Sequence, residues 1–587
     1  MGVAARTICP GPAASLVGVP VLVLVSLLES TLQPYATGYR VVRVSLSGSS
    51  TTRREAPAPV ESPQHAFTFE ALRERLLGSA LVPLGAAGWI LPLVMAVLGG
   101  VLRFTRLGEP GSLIFDETYY VKDAYSLLQS GYERAWPEDA NESFTAGQPQ
   151  VLLNEPEYVV HPPVGKWMIA LGMALFGSDN SFGWRFGAAL TGTVTILLLG
   201  LIAARLFSSA PLGGLAGLFL AVDGHHLVHS RTSLLDVFLT FWIVAAFGAL
   251  LLDRRDGRLR LARALARATD SGGRISAGSG PLVYGPWLLW RPWRLAAGVC
   301  LGLAVGTKWS ALAFVAVFGL MTVLWDVSAR RVAGVVQWEA ALLRDGIPAF
   351  LTLIPAALIT YTASWSGWLL SDDAYNRQWA AQNPEEGWSW LPAPLRSLAE
   401  YHRSAYAFHN GLSSEHSYSA SAWTWLFMGR PTSFFYESAE NGEGGCAADS
   451  CSTAITSVGN PLIWWAAALA LLVVLFYWAG RRDWRAGAVL SGVAAGYLPW
   501  FAYPERTTFF FYSVSFEPFL VLALVYVLGL VLGRPGDSPQ RRRTGIVVVC
   551  CFAAGVLALS AFFLPVWTAE TIPYSDWRLR MWMPSWI

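Results

Sequence analysis

The sequence predicts an all-α membrane protein that crosses the bilayer about eleven times. Its 587 residues are 54% hydrophobic and only 14% charged, and the mean hydropathy is +0.42. Long apolar runs recur along the chain, and a bilayer-spanning helix needs about 20 such residues. The net charge of +2 is too small to indicate a partner nucleic acid, and no basic block is interleaved with aromatic residues.

Eleven segments have the length and apolar character of a transmembrane helix. They are residues 83–102, 183–206, 211–229, 234–252, 294–307, 308–325, 347–370, 460–479, 486–503, 511–533 and 545–567. Nearer the N-terminus, SLVGVPVLVLVSLL is short for a span and lacks the small-residue cleavage site of a signal peptide. We expect residues 1–80 to be a disordered cytoplasmic extension in which TTRREAPAPVESPQ is a linker.

Arginine placement predicts the orientation, because short cytoplasmic loops accumulate positive charge. The basic segments DRRDGRLRLARALARATDSGGR, SARR, GRRDWR and GRPGDSPQRRR all fall on one side of an eleven-span arrangement. The N-terminus is then cytoplasmic and the C-terminus extracytoplasmic. Residues 81–370 form a first membrane module with an outer loop at 103–182, residues 371–459 form a long outer loop, and residues 460–587 form a second membrane module.

Two adjacent carboxylates, Asp116 and Glu117, stand in the first outer loop within LIFDETYYV. Their apolar and aromatic neighbours hold them near the membrane boundary, where desolvation makes a carboxylate a better base. An ionisable residue near the hydrocarbon indicates function. Two solvated interfacial acids explain the dipeptide equally well.

Two cations follow on the same side of the membrane. In HPPVGKW, His161 precedes Lys166, which opens a helix too short to cross. That helix is expected in the interface, where an anionic lipid headgroup or simple snorkelling satisfies the lysine. Arg185 stands at the outer end of the next span.

Further charges interrupt later apolar runs. Lys308 lies at a break in GLAVGTKWSALAF and needs an anion. Glu505 and Arg506 occupy the last full outer turn, followed by aromatic residues that suit either a lipid-tail groove or an interfacial belt. These scattered charges converge on one face, as transfer of a phosphate-linked group requires, whereas a transporter would carry paired mid-span charges and a repeat symmetry.

The outer turn DGHHLVHSRTSLLDVFLTFW contains two further candidate pairs. Arg231 and Asp236 are five positions apart and could form a structural clamp. His225 and His229 have the helical spacing of a divalent-metal pair, although interfacial histidines are common. Metal dependence stays open.

A disulfide is predicted between Cys446 and Cys451 in the polar segment CAADSC, provided that this loop faces an oxidising compartment. Metal ligation is the weaker interpretation, because no second Cys or His pair at zinc spacing lies close by.

From residue 85 onwards the chain resembles the protein O-mannosyltransferases, and specifically their actinobacterial branch. The resemblance rests on FDE, HPPVGKW, GWRFGAAL, HSRTSLLDVFLTF, GLAVGTKWSAL, HSYSASAWTWLFMGRPTSFFYE and PERTTFFFY, in order between eleven spans. It implies the GT-C glycosyltransferase fold in a bacterial plasma membrane. It also implies transfer of mannose from polyprenyl-phosphate-mannose to Ser or Thr hydroxyls of proteins emerging through the membrane, with the secretion translocon as one meeting point.

The resemblance also implies roles for individual residues. Asp116 and Glu117 match the family's acidic pair, which makes Asp116 the catalytic base, and Arg185 matches an arginine implicated at the donor phosphate. Eukaryotic relatives often carry histidine where this chain has Tyr512, and they insert a lectin-like domain where this chain has only its second long loop.

The implied reaction is chemically consistent with the charges found. A carboxylate base activates the acceptor hydroxyl, and cations stabilise the phosphate that leaves, for which Lys166, Arg185, Lys308 and Arg506 are the candidates. A single displacement inverts the anomeric centre. The alternatives are a related enzyme that glycosylates a lipid or cell-wall glycan, and a transporter or lipid flippase.

Overall fold

The computed structural model describes residues 68–78, 84–149, 151–270 and 281–587. The expected disorder of residues 1–80 lies outside these residues as far as residue 67, including the linker, whereas residues 69–77 of the same predicted extension are helical. The first described element is a helix, α1 (Phe69–Leu77), whose N-cap Thr68 accepts a hydrogen bond from the Ala71 backbone.

Helices dominate the described chain. After α1 they are α2 (Ala87–Phe104), α3 (Glu117–Ser130), α4 (Ala140–Thr145), α5 (Val164–Phe176), α6 (Ser181–Leu206), α7 (Ala210–Val222), α8 (Gly224–His229), α9 (Leu235–Asp270), α10 (Pro281–Tyr284), α11 (Pro292–Val305), α12 (Ala311–Ala333), α13 (Ala341–Arg344), α14 (Gly346–Ser364), α15 (Ser366–Leu370), α16 (Trp379–Gln382), α17 (Ala393–Gly411), α18 (Pro461–Arg481), α19 (Trp484–Tyr497), α20 (Glu517–Leu532), α21 (Pro539–Phe563) and α22 (Tyr574–Arg580). Short 3₁₀ turns include 422–427, 498–502 and 510–515.

Several long helices begin at a polar cap followed by proline. Ser209, Asn460 and Ser538 each accept a hydrogen bond from the first turn of the helix they precede, and each is followed within two positions by a proline. A side-chain acceptor satisfies backbone N–H groups that have no partner within the helix, and proline suits the first turn because it lacks that N–H. These caps fix where the apolar segments begin.

Each of the eleven predicted spans coincides with a helix, but the structure does not establish eleven crossings. Seven helices of the described chain are long and apolar enough to cross a bilayer. Four predicted spans form the shorter helices α7, α11, α19 and α20, of 13 to 16 residues. The predicted span 211–229 is broken at Asp223, whose carboxylate caps α8 by accepting from the His225 backbone at 2.9 Å.

A small antiparallel sheet interrupts the helical architecture, and the all-α prediction did not include it. It has the order β1 (Thr432–Glu440), β2 (Ser450–Ser457) and β3 (Thr571–Pro573). The first two strands form a hairpin in the long outer loop, and β3 comes from the C-terminal segment. The helical prediction therefore holds for the apolar segments but fails in this loop.

Close packing of α5 against α6 positions the first outer loop. A Cβ on Gly172 would lie 2.4 Å from the Gly183 carbonyl oxygen, and one on Gly187 would lie 2.3 Å from that of Met168. Only glycine permits this backbone approach, as in other small-residue helix contacts within membranes.

The N-terminal helix α1 and the C-terminus lie at opposite ends of the helix bundle. At one end, α1 packs through Leu72 and Leu76 onto Leu265 of α9, which carries many of the basic residues. At the other end, Arg430 of the long loop donates to the carbonyl oxygens of Ser585 and Ile587 at 2.7 and 2.8 Å. The C-terminus thus lies with the long outer loop.

Candidate active site

Asp116 lies where the first outer loop enters α3. Phe115 before it has a φ of +49°, a left-handed conformation that is strained for a bulky residue and is held only by its surroundings. The Phe115 ring stacks on Phe434 at 4.7 Å and meets the edge of Phe511 at 5.5 Å. These aromatic contacts fix the turn that presents Asp116.

The Asp116 carboxylate is half-buried among polar groups from three elements. Burial raises the pKa of Asp116 to about 6; Lys308 opposes the rise, Asp236 adds to it, and a hydrogen bond donated by Tyr120 lowers it. A carboxylate with a pKa near 6 is ionised at neutral pH and is a stronger base than an ordinary aspartate. Its setting therefore suits proton abstraction.

Glu117 points the other way and is fully buried. Its Oε1 accepts from Arg185 Nε at 2.9 Å and from the Ser233 backbone N–H at 2.9 Å. Its Oε2 accepts from Arg185 Nη2 at 2.8 Å and from the Ile114 backbone N–H at 3.1 Å. With four donors on one carboxylate, Glu117 ties the first loop to α6 and to the turn before α9.

Arg185 hydrogen-bonds to the first outer loop. Besides the bidentate pair with Glu117, it donates to the carbonyl oxygens of Pro110 at 2.7 Å and Ser112 at 3.0 Å. The guanidinium is fully buried. Arg185 was expected to bind the donor phosphate. That contact does not fit this arrangement, because each nitrogen of the guanidinium already donates to the protein.

A cavity of about 300 Å³ is lined by Lys308 and Asp236, the two charged residues that interact electrostatically with Asp116. Its walls bring together five residues singled out from the sequence, namely His161, Asp236, Lys308, Arg506 and Tyr512. They come from the first loop, α9, the break before α12 and the segment before α20. Asp116 is coupled electrostatically to Lys308, Asp236 and Tyr512.

The two cations of this cavity differ in their partners. Lys308 donates to Asp236 at 2.7 Å, so its charge is balanced. Arg506 donates through Nε to the His409 carbonyl at 2.9 Å, whereas its buried Nη1 has no hydrogen-bond partner among the described residues. The guanidinium lies 5.5 Å from the ring centroid of Trp500 and 5.8 Å from that of Tyr512. A buried, unsatisfied guanidinium N–H suits an anionic ligand.

Two predicted site residues, Lys166 and Glu505, are placed differently from the expectation. Lys166 is fully buried, donates to Glu133 and lies 3.7 Å from Asp123, so it neither snorkels to a headgroup nor reaches the cavity. A buried ammonium needs an anion, and acids of the first loop supply it. Glu505 is exposed and lines a separate polar pocket.

The predicted clamp between Arg231 and Asp236 is wrong. Arg231 donates to four carbonyl oxygens, those of Leu102, Arg103, Thr105 and Arg106, at 2.7 to 3.1 Å. It therefore caps the end of α2, while Asp236 pairs with Lys308. The cause is geometric, because the two side chains leave their turn in different directions.

The two histidines at metal spacing are engaged within the protein. His225 contacts the hydroxyls of Ser457 at 2.9 Å and Ser513 at 3.1 Å, and His229 contacts the His225 carbonyl at 2.8 Å. Within the described ranges no group of three or more His, Cys, Asp or Glu side chains is placed to hold a metal.

Cys446 and Cys451 form the disulfide that their spacing predicts, with the Cα atoms 5.7 Å apart. The bridge closes the turn between β1 and β2. It stabilises the hairpin whose first strand supplies Phe434 to the site.

The structure adds residues that the sequence did not single out. Tyr120 follows Asp116 by four positions, a spacing that places both on one helix face and could have revealed it. His409 and Trp500 line the cavity from distant segments, and nothing in the local sequence marks them. Burial lowers the pKa of His161 well below its usual value and also lowers that of His409, which favours the neutral form of both rings.

Two family models match this chain. The C-terminal four TMM region of protein-O-mannosyltransferase matches residues 394–586, and dolichyl-phosphate-mannose-protein mannosyltransferase matches residues 160–264. A polyprenol-phosphate-mannose--protein mannosyltransferase of Mycobacterium tuberculosis is 40% identical over 514 residues, which cover 85% of this chain and 92% of the relative. The chain belongs to the protein O-mannosyltransferase family. A relative with the same name from Corynebacterium glutamicum is 32% identical and covers 84% of this chain and 92% of its own length.

A solved protein O-mannosyltransferase has a similar fold. The Saccharomyces cerevisiae Pmt1-Pmt2 complex bound to the sugar donor matches with a TM-score of 0.63 at 14% identity, covering 88% of this chain and 94% of that one. The likeness confirms the predicted GT-C fold of this protein O-mannosyltransferase.

Proposed function

We propose that this chain is a mannosyltransferase of the bacterial plasma membrane that moves mannose from polyprenyl-phosphate-mannose to Ser and Thr hydroxyls of polypeptides. One observation supports it most directly: the desolvated carboxylate of Asp116 interacts with Lys308 and Asp236, and these two residues line a cavity together with the unsatisfied guanidinium of Arg506. The family relatives are named for the same donor and for protein acceptors.

Asp116 is the general base in this proposal. As the acceptor oxygen attacks C1 of the mannose, its proton passes to the Asp116 carboxylate, and the bond from C1 to the phosphate oxygen breaks. A positioned carboxylate accelerates such a step by about 100-fold to 10,000-fold. One displacement inverts the anomeric centre, so a β-linked donor gives an α-linked product.

Arg506 and Lys308 bind the phosphate that leaves. The leaving group is an anion that needs no general acid, only cations and donors placed where its charge develops. Arg506 is the stronger candidate, since Lys308 is already neutralised by Asp236. Tyr512 and Trp500 stack on each other at 4.8 Å, and the guanidinium lies against this pair, 5.5 Å from the Trp500 ring and 5.8 Å from the Tyr512 ring.

Glu117 and Arg185 are positioning residues. They neutralise each other and fix the loop that carries Asp116. Lys166 has a similar role further along the first loop, where it pairs with Glu133 and lies 3.7 Å from Asp123.

The polyprenyl chain leaves the cavity between α12 and α17. Leu312 and Tyr406 both line the cavity and are each 56% exposed, as side chains that face acyl chains are. The site then opens extracytoplasmically, with the N-terminus cytoplasmic, the C-terminus extracytoplasmic and acceptors arriving at the secretion translocon. The basic segments listed above support this orientation by the positive-inside rule.

A reconstituted assay tests the proposal. Purified protein in lipid nanodiscs receives polyprenyl-phosphate-[¹⁴C]mannose and a Ser/Thr/Pro-rich peptide, with a peptide in which every Ser and Thr is Ala as the control. We expect label only on the hydroxylated peptide, in α linkage by NMR. Label confined to lipid or cell-wall glycan acceptors would contradict it.

A further inference from the structure

The strand β1 is an edge strand with an open outer side. In the sheet order β1-β2-β3 it pairs with β2 alone. Its residues 436–438 and 440 are exposed. Within the described part of the chain, the backbone–backbone bonds of β1 go to β2 and to the hairpin turn, and the Ser433 hydroxyl donates to the Phe435 carbonyl at 3.3 Å. Alternate residues of such a strand direct unpaired N–H and C=O groups outward.

This edge begins beside the candidate base. Phe434, two residues after the first of β1, is 4% exposed and stacks on Phe115 with an interplanar angle of 5°. Phe115 directly precedes Asp116. Phe434 also contacts Phe511, whose neighbour Tyr512 lines the cavity. The strand therefore runs from the site toward the solvent.

The edge is preformed and not merely exposed. The disulfide between Cys446 and Cys451 closes the hairpin. The Tyr436 hydroxyl bonds that of Ser452 at 3.0 Å across the two strands, and its ring lies 5.2 Å from Trp577 of α22. A strand held in this way needs no ordering when another strand is added to it.

We propose that the acceptor polypeptide binds as an extended strand along the outer edge of β1, with the reactive Ser or Thr at the end nearest Phe434. This inference rests on the proposed function and specifies how its acceptor is recognised. The run 436–440, in which every residue but Ala439 is exposed, is about 17 Å long at roughly 3.4 Å per residue, enough for about five acceptor residues. Main-chain hydrogen bonds supply the affinity, as in other cases of strand addition, and they require no particular acceptor sequence.

The negative charge of this strand edge also favours acceptor segments of a particular composition. Glu437 and Glu440 are exposed on β1, and Glu443 follows in the turn. Like charges on adjacent strands are destabilising. Acceptor segments that pair here are therefore poor in Asp and Glu near the modified hydroxyl.

An N-methyl scan of the acceptor tests the inference without altering the protein. A series of eight-residue peptides, each with one serine and one N-methylated backbone position, is assayed for kcat/KM of mannose transfer. Because alternate N–H groups point toward β1, we expect losses of about threefold to tenfold at every second position and little change between them. Transfer with a flat or irregular profile overturns strand addition, whereas no transfer to any peptide overturns the proposed function as well.

Substitutions in β1 provide a second, independent test of the inference. Glu437→Pro and Ser438→Pro each remove one N–H, and since these positions alternate, one of them removes an outward donor while the other removes a donor to β2. Glu437→Ala and Ser438→Ala are the matched controls, which keep every N–H.

The outward proline should raise the peptide KM about threefold to tenfold, with an unchanged KM for the donor and an unchanged thermal midpoint. The alanine variants should match the parent in peptide KM. A proline pair that leaves the peptide KM unchanged, in protein of normal thermal midpoint, overturns the inference.

Discussion

Breaking the pair between Glu117 and Arg185 should destabilise the protein and reduce activity together. The substitution Glu117→Gln removes the negative charge while keeping nearly the same shape. Both partners are fully buried, and the carboxylate accepts four hydrogen bonds of 2.8 to 3.1 Å. Arg185 would then be a buried cation without a counter-charge.

The magnitude follows from these contacts. Removing one partner of a buried ion pair costs about 3 to 5 kcal/mol. The guanidinium keeps the carbonyl oxygens of Pro110 and Ser112, so the lower end applies, about 3 kcal/mol. Displacing the loop that carries Asp116 by about 1 Å lowers the rate by about 100-fold.

The assay compares stability with turnover in a double-mutant cycle. The free energy of unfolding is measured in bicelles for Glu117→Gln, Arg185→Met and the combined variant, alongside mannose transfer. The combined variant leaves no unpaired charge, so its loss should be about 2 to 3 kcal/mol smaller than the sum of the single losses. Glu109→Gln is the control, because its pair with Arg106 is about half exposed and contributes under about 1 kcal/mol.

One result would refute this reasoning. If Glu117→Gln unfolded with the parent free energy and yet lost transfer, the carboxylate would act in the chemistry itself and not by holding the loop.

Three further predictions concern the cavity. The rate should be half-maximal near pH 6, level off at higher pH and approach a tenfold fall per pH unit at lower pH, because the base works ionised and burial raises the pKa of Asp116 to about 6. A pH–rate profile that is flat down to pH 4.5 would exclude that assignment. Tyr120→Phe removes a hydrogen bond that lowers this pKa, so the acid limb of the profile should move to higher pH, and an unmoved limb would show that the hydroxyl serves packing alone. Arg506→Gln should weaken donor binding by about 10-fold to 150-fold, measured with a spin-labelled donor analogue. The control Arg403→Gln, on a side chain that is 80% exposed, should leave the donor affinity unchanged. Equal donor affinities in the two variants would remove Arg506 from the phosphate site.

The helices could be predicted from the sequence because apolar length is a local property. The break at Lys308 and the short helix opened by Lys166 were both predicted in this way, and in the structure α12 begins at Ala311 and α5 spans Val164–Phe176. Crossing number was harder, since Asp223 ends one apolar run as a cap where hydropathy continues it.

The pairing of charges could not be predicted, because it depends on contacts between distant segments. Lys308 meets Asp236 across 72 positions, and Arg185 meets Glu117 across 68. Sequence proximity favoured Arg231 for Asp236, but backbone carbonyls at the end of α2 are better placed for that guanidinium. Which acid pairs with which cation is therefore determined by the tertiary packing.

The hairpin was missed although the sequence contains a signal for it. The aromatic and β-branched runs TSFFYESAE and SCSTAITS flank the glycine-rich NGEGG, which is typical of two strands and a turn. No strand was predicted in the long outer loop, so the contact between Phe434 and Phe115 could not be anticipated.

The most direct test of the account is the effect of Asp116→Asn on catalysis and on donor binding, measured on the same nanodisc preparation. The amide keeps the size of the side chain but cannot accept a proton. We expect kcat for mannose transfer to fall by at least about 100-fold, while the donor dissociation constant stays within about threefold of the parent. A variant that transfers mannose at the parental rate would contradict the assignment of Asp116 as the base.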